Sequence, residues 1–528
     1  MKYLFIICCL LASTSLTYSQ KKAVRIYNAD SSVVASGVVV DGEMEGLWQL
    51  SSPRTNKLLE EGYLKAGKKD GKWTTYHPNG TKHIVAEYSN GKLTGPFKEY
   101  DKEGYLLVDA TYKDSVSVGE YKEYYGASVA LYGFNPSKRR KREGQFKDGV
   151  IDGEWLSYYE SGQLAIKSTY KEGELHGPYL EYSREGQLVV EVNYVEGVPD
   201  GTFTRYSIDN VVEQTGEYKN GKKTGQWITY FPGTKTIASE EEYDKNGNKT
   251  GTWKHYYENR RLARVERYEN DIPVGTWEEY FPNKNLAKRK TYELGMPVGE
   301  YQENHEDGEP SVRGQYSGGV KAGLWKSYYT DGQLYSIGEY KNGVKTGLWK
   351  YFNKIGILIA EGEYELGSEH GQWFYYYDGG QLKSVGSYFY GFEEGTWGLF
   401  YDNKKLTQEE YWSNGRLMNV SEYHAYDGKS TLDKGTLKDG EGTRYTYYVN
   451  GTKESEGTYL FGKQTGKWTY YHDNGKIASS GNMEDGKKEG RWNYYTRSGK
   501  LAEIIRYNDD EIVPDQLPEP DLPFQTFD

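Results

Sequence analysis

The sequence predicts an all-β protein, an elongated and twisted antiparallel β-meander of about 20 tandem β-hairpin repeats. A Gly-x-Trp phrase returns roughly every 24 residues along most of the chain, and a fixed period of this size is typical of repeat architectures. Between these phrases, Asp-Gly and Asn-Gly dipeptides separate short aromatic runs, as they do in chains of hairpins. Glycine accounts for 64 of 528 residues and no stretch has helical periodicity, which argues against helices.

The Gly-x-Trp phrase is most regular in the second half of the chain. Twelve of the 13 tryptophans follow a glycine at this spacing, and Trp412 replaces a tyrosine elsewhere in its repeat. Other repeats fill the same position with Phe or Tyr, so the position selects a large ring. Three successive copies in step are Gly323-Leu-Trp325, Gly347-Leu-Trp349 and Gly371-Gln-Trp373.

One repeat, residues 323–346, shows how a hairpin would be built. Its Thr-Asp-Gly-Gln segment at 330–333 predicts a four-residue loop between two strands of about six residues. In the resulting register a large ring lies across from a glycine and covers backbone that the glycine leaves bare. One face then carries Trp, Tyr and Leu while the other is mostly polar, as a half-buried sheet requires. The predicted cross-strand pairs are Tyr329 with Leu334, Trp325 with Gly338, and Gly323 with Tyr340.

The two ends of the chain differ from the repeats. Residues 1–19 combine Lys2 with an apolar run and small residues, and predict a secretory signal peptide cleaved near Ser19. Residues 20–45 predict a degenerate N-terminal capping repeat. Residues 511–528 are acidic and contain four prolines, which predicts a disordered tail.

Between these ends, residues 46–510 predict a nearly continuous series of repeats with two interruptions. An insertion at residues 126–143 lengthens one repeat, and a degenerate repeat occupies about residues 419–441. The insertion ends in a basic run inside an acidic chain. This run predicts either an exposed loop with solvated charges or a loop that binds an anion or partner, or is cleaved by a trypsin-like protease. Its residues are Lys138, Arg139, Arg140, Lys141 and Arg142.

Composition limits the partners and the chemistry that we expect. The formal net charge is −11, so the overall field disfavours nucleic acid and anionic lipid. Both cysteines lie in the predicted signal peptide, and the mature chain has no apolar run long enough for a transmembrane segment. No phosphate-binding loop, nucleophile elbow or zinc-ligand spacing occurs, and the 8 histidines are scattered. We therefore expect no catalytic site, cofactor or metal, and interpret the histidines as solvated.

The repeats resemble the MORN repeat variant, most closely in its bacterial form. The resemblance implies an elongated sheet of hairpins with no catalytic centre and no shared set of functional residues. Some bacterial members are labelled antitoxin components of toxin–antitoxin modules, and eukaryotic arrays resemble scaffolds. Arg444, in a Trp position, departs from the pattern and is interpreted as a sign of a degenerate repeat. One good copy contains Gly466, Trp468, Tyr470, Tyr471, Gly475, Ile477, Gly481 and Gly486.

The aromatic content, 54 Tyr and 13 Trp, has two interpretations. A thin sheet has to bury its largest side chains, and rings offer the most area per residue. Alternatively, a ring-rich face binds a peptide, a protein or a sugar. Both can hold if part of the ring-rich face stays exposed to solvent.

The sequence favours a non-catalytic, secreted or envelope-associated repeat protein that binds or scaffolds an unknown partner protein. Two alternatives stay open: an antitoxin or immunity-type protein of a toxin–antitoxin module, and a carbohydrate-binding surface protein whose partner is a polysaccharide. The predicted signal peptide indicates export, to the periplasm, the cell surface or the medium.

Overall fold

The computed structural model describes residues 20–513 of the chain. The predicted signal peptide, residues 1–19, and residues 514–528 of the predicted tail lie outside the described residues. The described residues divide into two compact bodies, residues 20–272 and 273–513. In both bodies the secondary structure is almost entirely antiparallel β-strand, which confirms the predicted fold class.

In the first body, strands pair with their neighbours in the chain and form an open meander of hairpins. Two short 3₁₀ helices, Gly126–Tyr132 and Pro136–Lys138, lie within the predicted insertion. The strands are β1 (Lys21–Tyr27), β2 (Val34–Val40), β3 (Glu43–Ser51), β4 (Leu58–Lys65), β5 (Lys68–Tyr76), β6 (Lys82–Ser89), β7 (Lys92–Tyr100), β8 (Leu106–Lys113), β9 (Val116–Tyr124), β10 (Arg140–Lys147), β11 (Val150–Ile151), β12 (Gly153–Tyr158), β13 (Leu164–Lys171), β14 (Glu174–Tyr182), β15 (Leu188–Val195), β16 (Val198–Tyr206), β17 (Val212–Lys219), β18 (Lys222–Tyr230), β19 (Ile237–Tyr243), β20 (Gly251–Tyr256), β21 (Leu262–Glu269) and β22 (Ile272–Pro273), which ends at the boundary.

The second body contains the same kind of meander. Its strands are β23 (Gly275–Tyr280), β24 (Leu286–Glu293), β25 (Met296–Asn304), β26 (Pro310–Ser317), β27 (Val320–Tyr328), β28 (Leu334–Lys341), β29 (Val344–Phe352), β30 (Leu358–Glu365), β31 (Ser368–Tyr376), β32 (Leu382–Phe389), β33 (Phe392–Phe400), β34 (Leu406–Ser413), β35 (Arg416–Val420), β36 (Tyr423–His424), β37 (Thr431–Leu432), β38 (Gly442–Tyr447), β39 (Lys453–Leu460), β40 (Lys463–Tyr471), β41 (Ile477–Glu484), β42 (Lys487–Tyr495), β43 (Leu501–Asn508) and β44 (Glu511–Val513).

The predicted degenerate repeat, residues 419–441, lies where one sheet of the second body ends and the next begins. The first meander ends at β35, β36 and β37 form a ladder of their own, and β38 to β44 form a seven-stranded sheet. The last of these strands, Glu511–Val513, pairs with β43 although its residues belong to the range predicted as tail.

The hairpin formed by β27 and β28 has most of the predicted register. Trp325 pairs with Gly338, and Gly323 pairs with Tyr340. The predicted pairing of Tyr329 with Leu334 is wrong, because the register shifts after Ser327 and Tyr328 takes that place.

The loop of this hairpin is shorter by one residue than predicted. The Tyr329 N–H donates to the Gln333 carbonyl at 2.9 Å, and the Gly332 N–H donates to the Tyr329 carbonyl at 3.0 Å. Gly332 has a φ of 83°, which places a left-handed residue at the end of a three-residue loop. The Asp-Gly pair thus ends the loop instead of filling its centre.

The glycine of the Gly-x-Trp phrase is required by its backbone angle. Gly347 has a φ of 60°, and a Cβ added there would meet nothing within 4 Å. It lies where β29 bulges against β28, since Ile337 pairs with Lys350 while Glu339 pairs with Thr346. A positive φ at the start of such a bulge favours glycine.

A second glycine, present in many of the repeats, is required by space, and the ring that covers it is not the predicted one. A Cβ on Gly338 would overlap the indole of Trp349, in the following repeat. The ring that covers Gly338 is therefore Trp349, and not Trp325, its partner within the hairpin. The same arrangement places Trp373 over Gly362. Each ring consequently joins its own repeat to the preceding one.

This contact follows one spacing along the whole chain. Ten of the 12 tryptophans in the Gly-x-Trp position have a glycine eleven residues earlier, and Trp253 and Trp277 are the exceptions. Where the covering ring is smaller, a larger residue takes the glycine position: Ala86 pairs with Phe97, and Val192 pairs with Phe203. The ten glycines are Gly37, Gly62, Gly144, Gly216, Gly314, Gly338, Gly362, Gly386, Gly457 and Gly481.

The core is a row of these rings along one face of the sheet. Trp349 and Trp373 are only 4% and 2% exposed. Each indole N–H donates to the carbonyl of the residue after the glycine that it covers, at 3.2 Å to Glu339 and 3.0 Å to Glu363. From Trp349 to Trp397 the rings stack nearly parallel with intervening tyrosines, at centroid distances of 5.9 to 6.4 Å. Stability is therefore built from contacts between neighbouring repeats.

Candidate functional site

On the tryptophan face, lysine side chains lie over six of the indoles. Eleven of the 13 tryptophans are buried and the other two are half-buried. Above Trp349, the Lys345 Nζ lies 4.4 Å from the indole centroid, and 4.5 Å from the ring of Tyr364. Lys321 lies over Trp325 in the same way, at 4.3 Å. These cation–π contacts favour the structural interpretation of the aromatic content over a ring-rich binding face.

The opposite face carries hydrogen-bonded pairs of tyrosine and glutamate. The Tyr471 hydroxyl donates to Glu456 Oε1 at 2.6 Å, and Tyr158 donates to Glu143 in the same way at 2.6 Å. Burial, and then the hydrogen bond to Glu456, raise the pKa of Tyr471 to about 12. Lys453 and Tyr471 hold the pKa of Glu456 below its ordinary value. These pairs are structural contacts between repeats.

The Tyr471–Glu456 pair predicts a loss of stability at alkaline pH. The folded-state pKa of Tyr471, about 12, lies above its ordinary value of 10.0. The protonated phenol therefore stabilises the fold fully below about pH 10, and the contribution disappears as the pH rises from about 10 to about 12. The variant Tyr471→Phe has no phenol proton to lose, so its thermal midpoint should fall less steeply over this window. Equal alkaline slopes for both proteins would contradict the assignment.

The hairpin loops are tied together along one edge by side chains that donate to the next repeat. The Tyr329 hydroxyl donates to the Phe352 carbonyl at 2.9 Å. Three repeats carry histidine in the position of Tyr329: the Nε2 atoms of His77, His305 and His472 lie 2.8 to 3.3 Å from the carbonyl 23 residues ahead. These histidines are half-buried and bonded, so the prediction that they are solvated is wrong.

Neither a metal centre nor a spanning helix is found in residues 20–513. No group of three His, Cys, Asp or Glu side chains in this range is arranged to hold a metal ion. Within the same range, no helix has the length and apolar character needed to cross a membrane.

The basic run at the end of the predicted insertion is largely neutralised within the chain. Arg140, Lys141 and Arg142 lie on β10, and not on a loop. Arg140 pairs with Glu143 at 2.6 Å, Lys141 pairs with Glu123 at 2.9 Å, and Arg142 also pairs with Glu123. The carboxylates of Glu123 and Glu143 thus compensate most of the charge of these three cations.

The other two cations of this run differ from each other. The guanidinium of Arg139 lies 4.7 Å from the ring of Phe134, and the side chain is half-buried. Lys138 is exposed at the end of the second 3₁₀ helix. With one exposed cation outside these contacts, the run offers little free charge for recognising an anion.

In the first body, one glycine position holds a buried glutamate instead. Glu266 is 6% exposed. It accepts a hydrogen bond from the Tyr268 hydroxyl at 3.2 Å and pairs with Arg264 Nε at 3.0 Å. His255 Nε2 lies 3.6 Å from the same carboxylate. Burial and the charge of Arg264 lower the pKa of His255, so Arg264 is the cation that balances Glu266 near neutral pH.

At the join between the sheets of the second body, an ion pair replaces the ring and the glycine. Arg444 occupies a Trp position, and Glu410 occupies the position of the glycine beneath it. Their side chains are 11% and 10% exposed, and the guanidinium contacts the carboxylate directly. The Trp412 indole also donates to Glu410, at 2.9 Å. Arg444 was interpreted as a sign of degeneration, but the structure gives it a defined partner across the degenerate repeat.

Several exposed apolar side chains lie outside these contacts, among them Leu294, Ile355 and Phe461, and one group of them contains rings that contact one another. It lies at two neighbouring turns between repeats, where β30 joins β31 and β32 joins β33. We define the aromatic tip as Leu366, His370, Phe389, Tyr390 and Phe392. Leu366 is 77% exposed, Phe389 57%, Phe392 53% and Tyr390 38%. An exposed apolar group of this kind is typical of a binding site.

The rings of the aromatic tip contact one another. The centroid of Tyr390 lies 4.9 Å from that of Phe389 and 4.8 Å from that of His370. Phe389 and Phe392 pair across the hairpin and so share one face of it. This group was not predicted from the sequence. The available signal was the replacement of the usual Asn-Gly turn by Leu366-Gly and Tyr390-Gly.

The fold and its contacts define a tandem β-hairpin repeat protein whose repeats are joined by aromatic rings. A family model described as MORN repeat variant matches eight segments of the chain, which are therefore MORN repeat variants, as the resemblance in the sequence predicted. The matched segments are 69–92, 151–172, 175–196, 273–293, 321–342, 369–389, 464–485 and 488–509.

Other comparisons add little to this assignment. No curated protein matches the chain. Among solved structures, it is similar to a crystal structure of TcdB2-TccC3-TEV and to a Photorhabdus luminescens Tc holotoxin pore with a mutated TccC3. In both cases the identity is 10%, the TM-score is 0.12, and the match covers 93% of this chain and 34% of the other. The chain thus spans about a third of the length of those chains. At this TM-score the similarity supports no inference about fold or function.

Proposed function

We propose that this protein is a non-catalytic, exported repeat protein that binds another protein. The observation that carries the proposal is the contrast between the buried indoles and an exposed group of apolar side chains. The indoles are buried in contacts between repeats, whereas Leu366, Phe389, Tyr390 and Phe392 are exposed on adjacent turns. Aromatic side chains held outside the core of a polar repeat protein are suited to an interface with another protein.

Export is supported by the sequence of the first residues. Lys2 precedes an apolar run in residues 1–19, and both cysteines lie there, which leaves a mature chain suited to an oxidising compartment. The sugar-binding alternative gains less support, because no tryptophan among the described residues is exposed for stacking on a sugar face. The antitoxin alternative rests only on labels given to relatives.

The proposal is tested in two steps with the full chain. Fractionation of the native cell should place the mature protein outside the cytoplasm. The purified mature chain should then capture a protein from the envelope fraction, and that protein, once purified, should bind the chain directly with saturable affinity. A cytoplasmic location, or a turnover activity that one point substitution abolishes, would contradict the proposal.

A further inference from the structure

We infer that the aromatic tip is the docking site, and that it takes a short segment of the partner in which Lys or Arg residues stand next to aliphatic or aromatic ones. This inference rests on the proposed function and specifies where and how the partner binds.

At the tip, apolar residues occupy turn positions whose backbone conformation disfavours them, as Leu294 and Phe461 also do at other turns. The tip differs because two such turns belong to successive repeats and carry rings that contact one another. The first residue of each two-residue turn between repeats has a positive φ, which is 50° at Leu366 and 48° at Tyr390. Asn, Asp and Gly adopt this conformation most readily, and bulky side chains do so at a cost. Most repeats follow this rule, with Asn or Asp at Asp41, Asn90, Asp114, Asp148, Asn220, Asn270, Asn342, Asn414, Asp439, Asp485 and Asp509.

Leu366 and Tyr390 therefore combine two unfavourable features, a disfavoured backbone conformation and exposure of apolar surface to water. Leu366 gains little from burial in the fold, because it is 77% exposed, and Tyr390 remains 38% exposed although its ring packs against Phe389 and His370. Contact with another molecule would bury this surface and remove the cost of exposure. The ring contacts among His370, Phe389 and Tyr390 also hold the site in place before binding, which lowers the ordering cost.

The charges around the tip indicate a basic partner. Three carboxylates share the face of Phe389 and Phe392. Glu363 is exposed and pairs across the hairpin with His370, Glu365 lies 3.3 Å from His370 Nε2, and Glu394 accepts the Asn414 N–H at 2.7 Å. A partner segment with Lys or Arg beside its apolar residues would meet these carboxylates while its apolar side chains cover the rings.

The turns on either side of the tip carry one cation each, Lys341 on the preceding turn and Arg416 on the following one, so the three carboxylates outnumber them. Arg416 Nη1 donates to the Phe461 carbonyl at 2.8 Å. The formal net charge of the whole chain, −11, acts in the same direction as the local carboxylates and favours the approach of a basic segment.

The test uses short fluorescein-labelled peptides and the full mature chain, with binding measured by anisotropy. One peptide alternates Lys with Leu and Phe, a second has Glu in place of Lys, and a third has Ser in place of Leu and Phe. The first peptide should bind at least about tenfold more tightly than either of the others. Equal affinity for the first and second peptides would overturn the inference.

The decisive variant is the double replacement Leu366→Asn and Tyr390→Asn, which restores the usual turn residue. Because the backbone favours Asn, its thermal midpoint should be equal to or higher than that of the wild type, while affinity for the first peptide falls by about tenfold or more. The matched control is Leu294→Asn, at the same turn position and 76% exposed but outside the tip, and it should leave affinity unchanged. The triple replacement Glu363→Gln, Glu365→Gln and Glu394→Gln should weaken binding and reduce its dependence on salt.

The outcomes separate this inference from the proposed function. If a protein captured from the envelope binds the wild type and the double variant equally, the docking site is wrong and the proposed function stands. If the peptide results hold but no envelope protein is captured, the chemistry of the site stands and the proposed function fails. Binding of phosphatidylglycerol vesicles through the same residues would assign the tip to a membrane surface and overturn the inference.

Discussion

The variant Trp373→Ala is expected to destabilise the second body by about 3–5 kcal/mol, the usual cost of deleting a buried tryptophan side chain. Trp373 is 2% exposed and covers Gly362 of the preceding repeat. It stacks on Tyr351 and Tyr375 at 6.4 and 5.9 Å, and its N–H donates to the preceding repeat at 3.0 Å. The variant removes all of these contacts at once.

Hydrogen exchange shows where in the array the loss falls, because repeats of an array can open locally. Amide protection should fall most in β30, β31 and β32, which flank the lost ring. Trp373→Phe should cost less, since Phe97 and Phe203 fill the same position elsewhere in the chain. The control Leu348→Ala removes a side chain that is 50% exposed. A loss for Trp373→Ala no larger than for this control would contradict the assigned role.

The second large effect is expected for Glu410→Ala at the join between the sheets of the second body. This variant leaves the Arg444 guanidinium buried without its carboxylate, and the side chain is only 11% exposed. Breaking a buried pair in this way typically costs about 3–5 kcal/mol. We expect the loss of hydrogen-exchange protection to extend into β38 and β39, which lie on the Arg444 side of the pair.

The matched double variant Glu410→Gly and Arg444→Trp restores the residues found at these positions in regular repeats. Because it removes both charges together, it should recover most of the stability that Glu410→Ala loses. If Glu410→Ala alone costs less than about 1 kcal/mol, the ion pair does not replace the ring and the glycine as we describe.

Much of the fold follows from the period of the sequence. Asp-Gly and Asn-Gly turns at regular spacing set the hairpins, and the pairing of Trp325 with Gly338 follows from counting outward from a turn. The ring that covers Gly338 could not be found in this way, because counting within one hairpin considers only one neighbouring strand. The glycine eleven residues before most tryptophans is the signal that identifies the contact between repeats.

The candidate site was less accessible to sequence reasoning. The basic run drew attention through its charge, but its carboxylate partner Glu123 lies on β9, before the insertion, and only the fold brings them together. Arg444 and Glu410 are 34 residues apart instead of eleven, because the degenerate repeat lies between them, and only the fold shows that they are in contact. Leu366 and Tyr390 can be identified in the sequence as exceptions to Asn or Asp before glycine. The role of such a turn residue can be interpreted only when its φ and its exposure are known.

The most direct test of the contact between repeats is the effect of Gly338→Ala, measured alone and in two backgrounds. Alone, the added Cβ should overlap Trp349 and cost about 1–3 kcal/mol in denaturant or hydrogen-exchange measurements. The cost should largely disappear when Gly338→Ala is combined with Trp349→Phe, because Ala86 already pairs with Phe97 in the native chain. It should persist when Gly338→Ala is combined with Trp325→Phe. Relief by Trp325→Phe, and none by Trp349→Phe, would contradict the account that each ring joins its repeat to the one before.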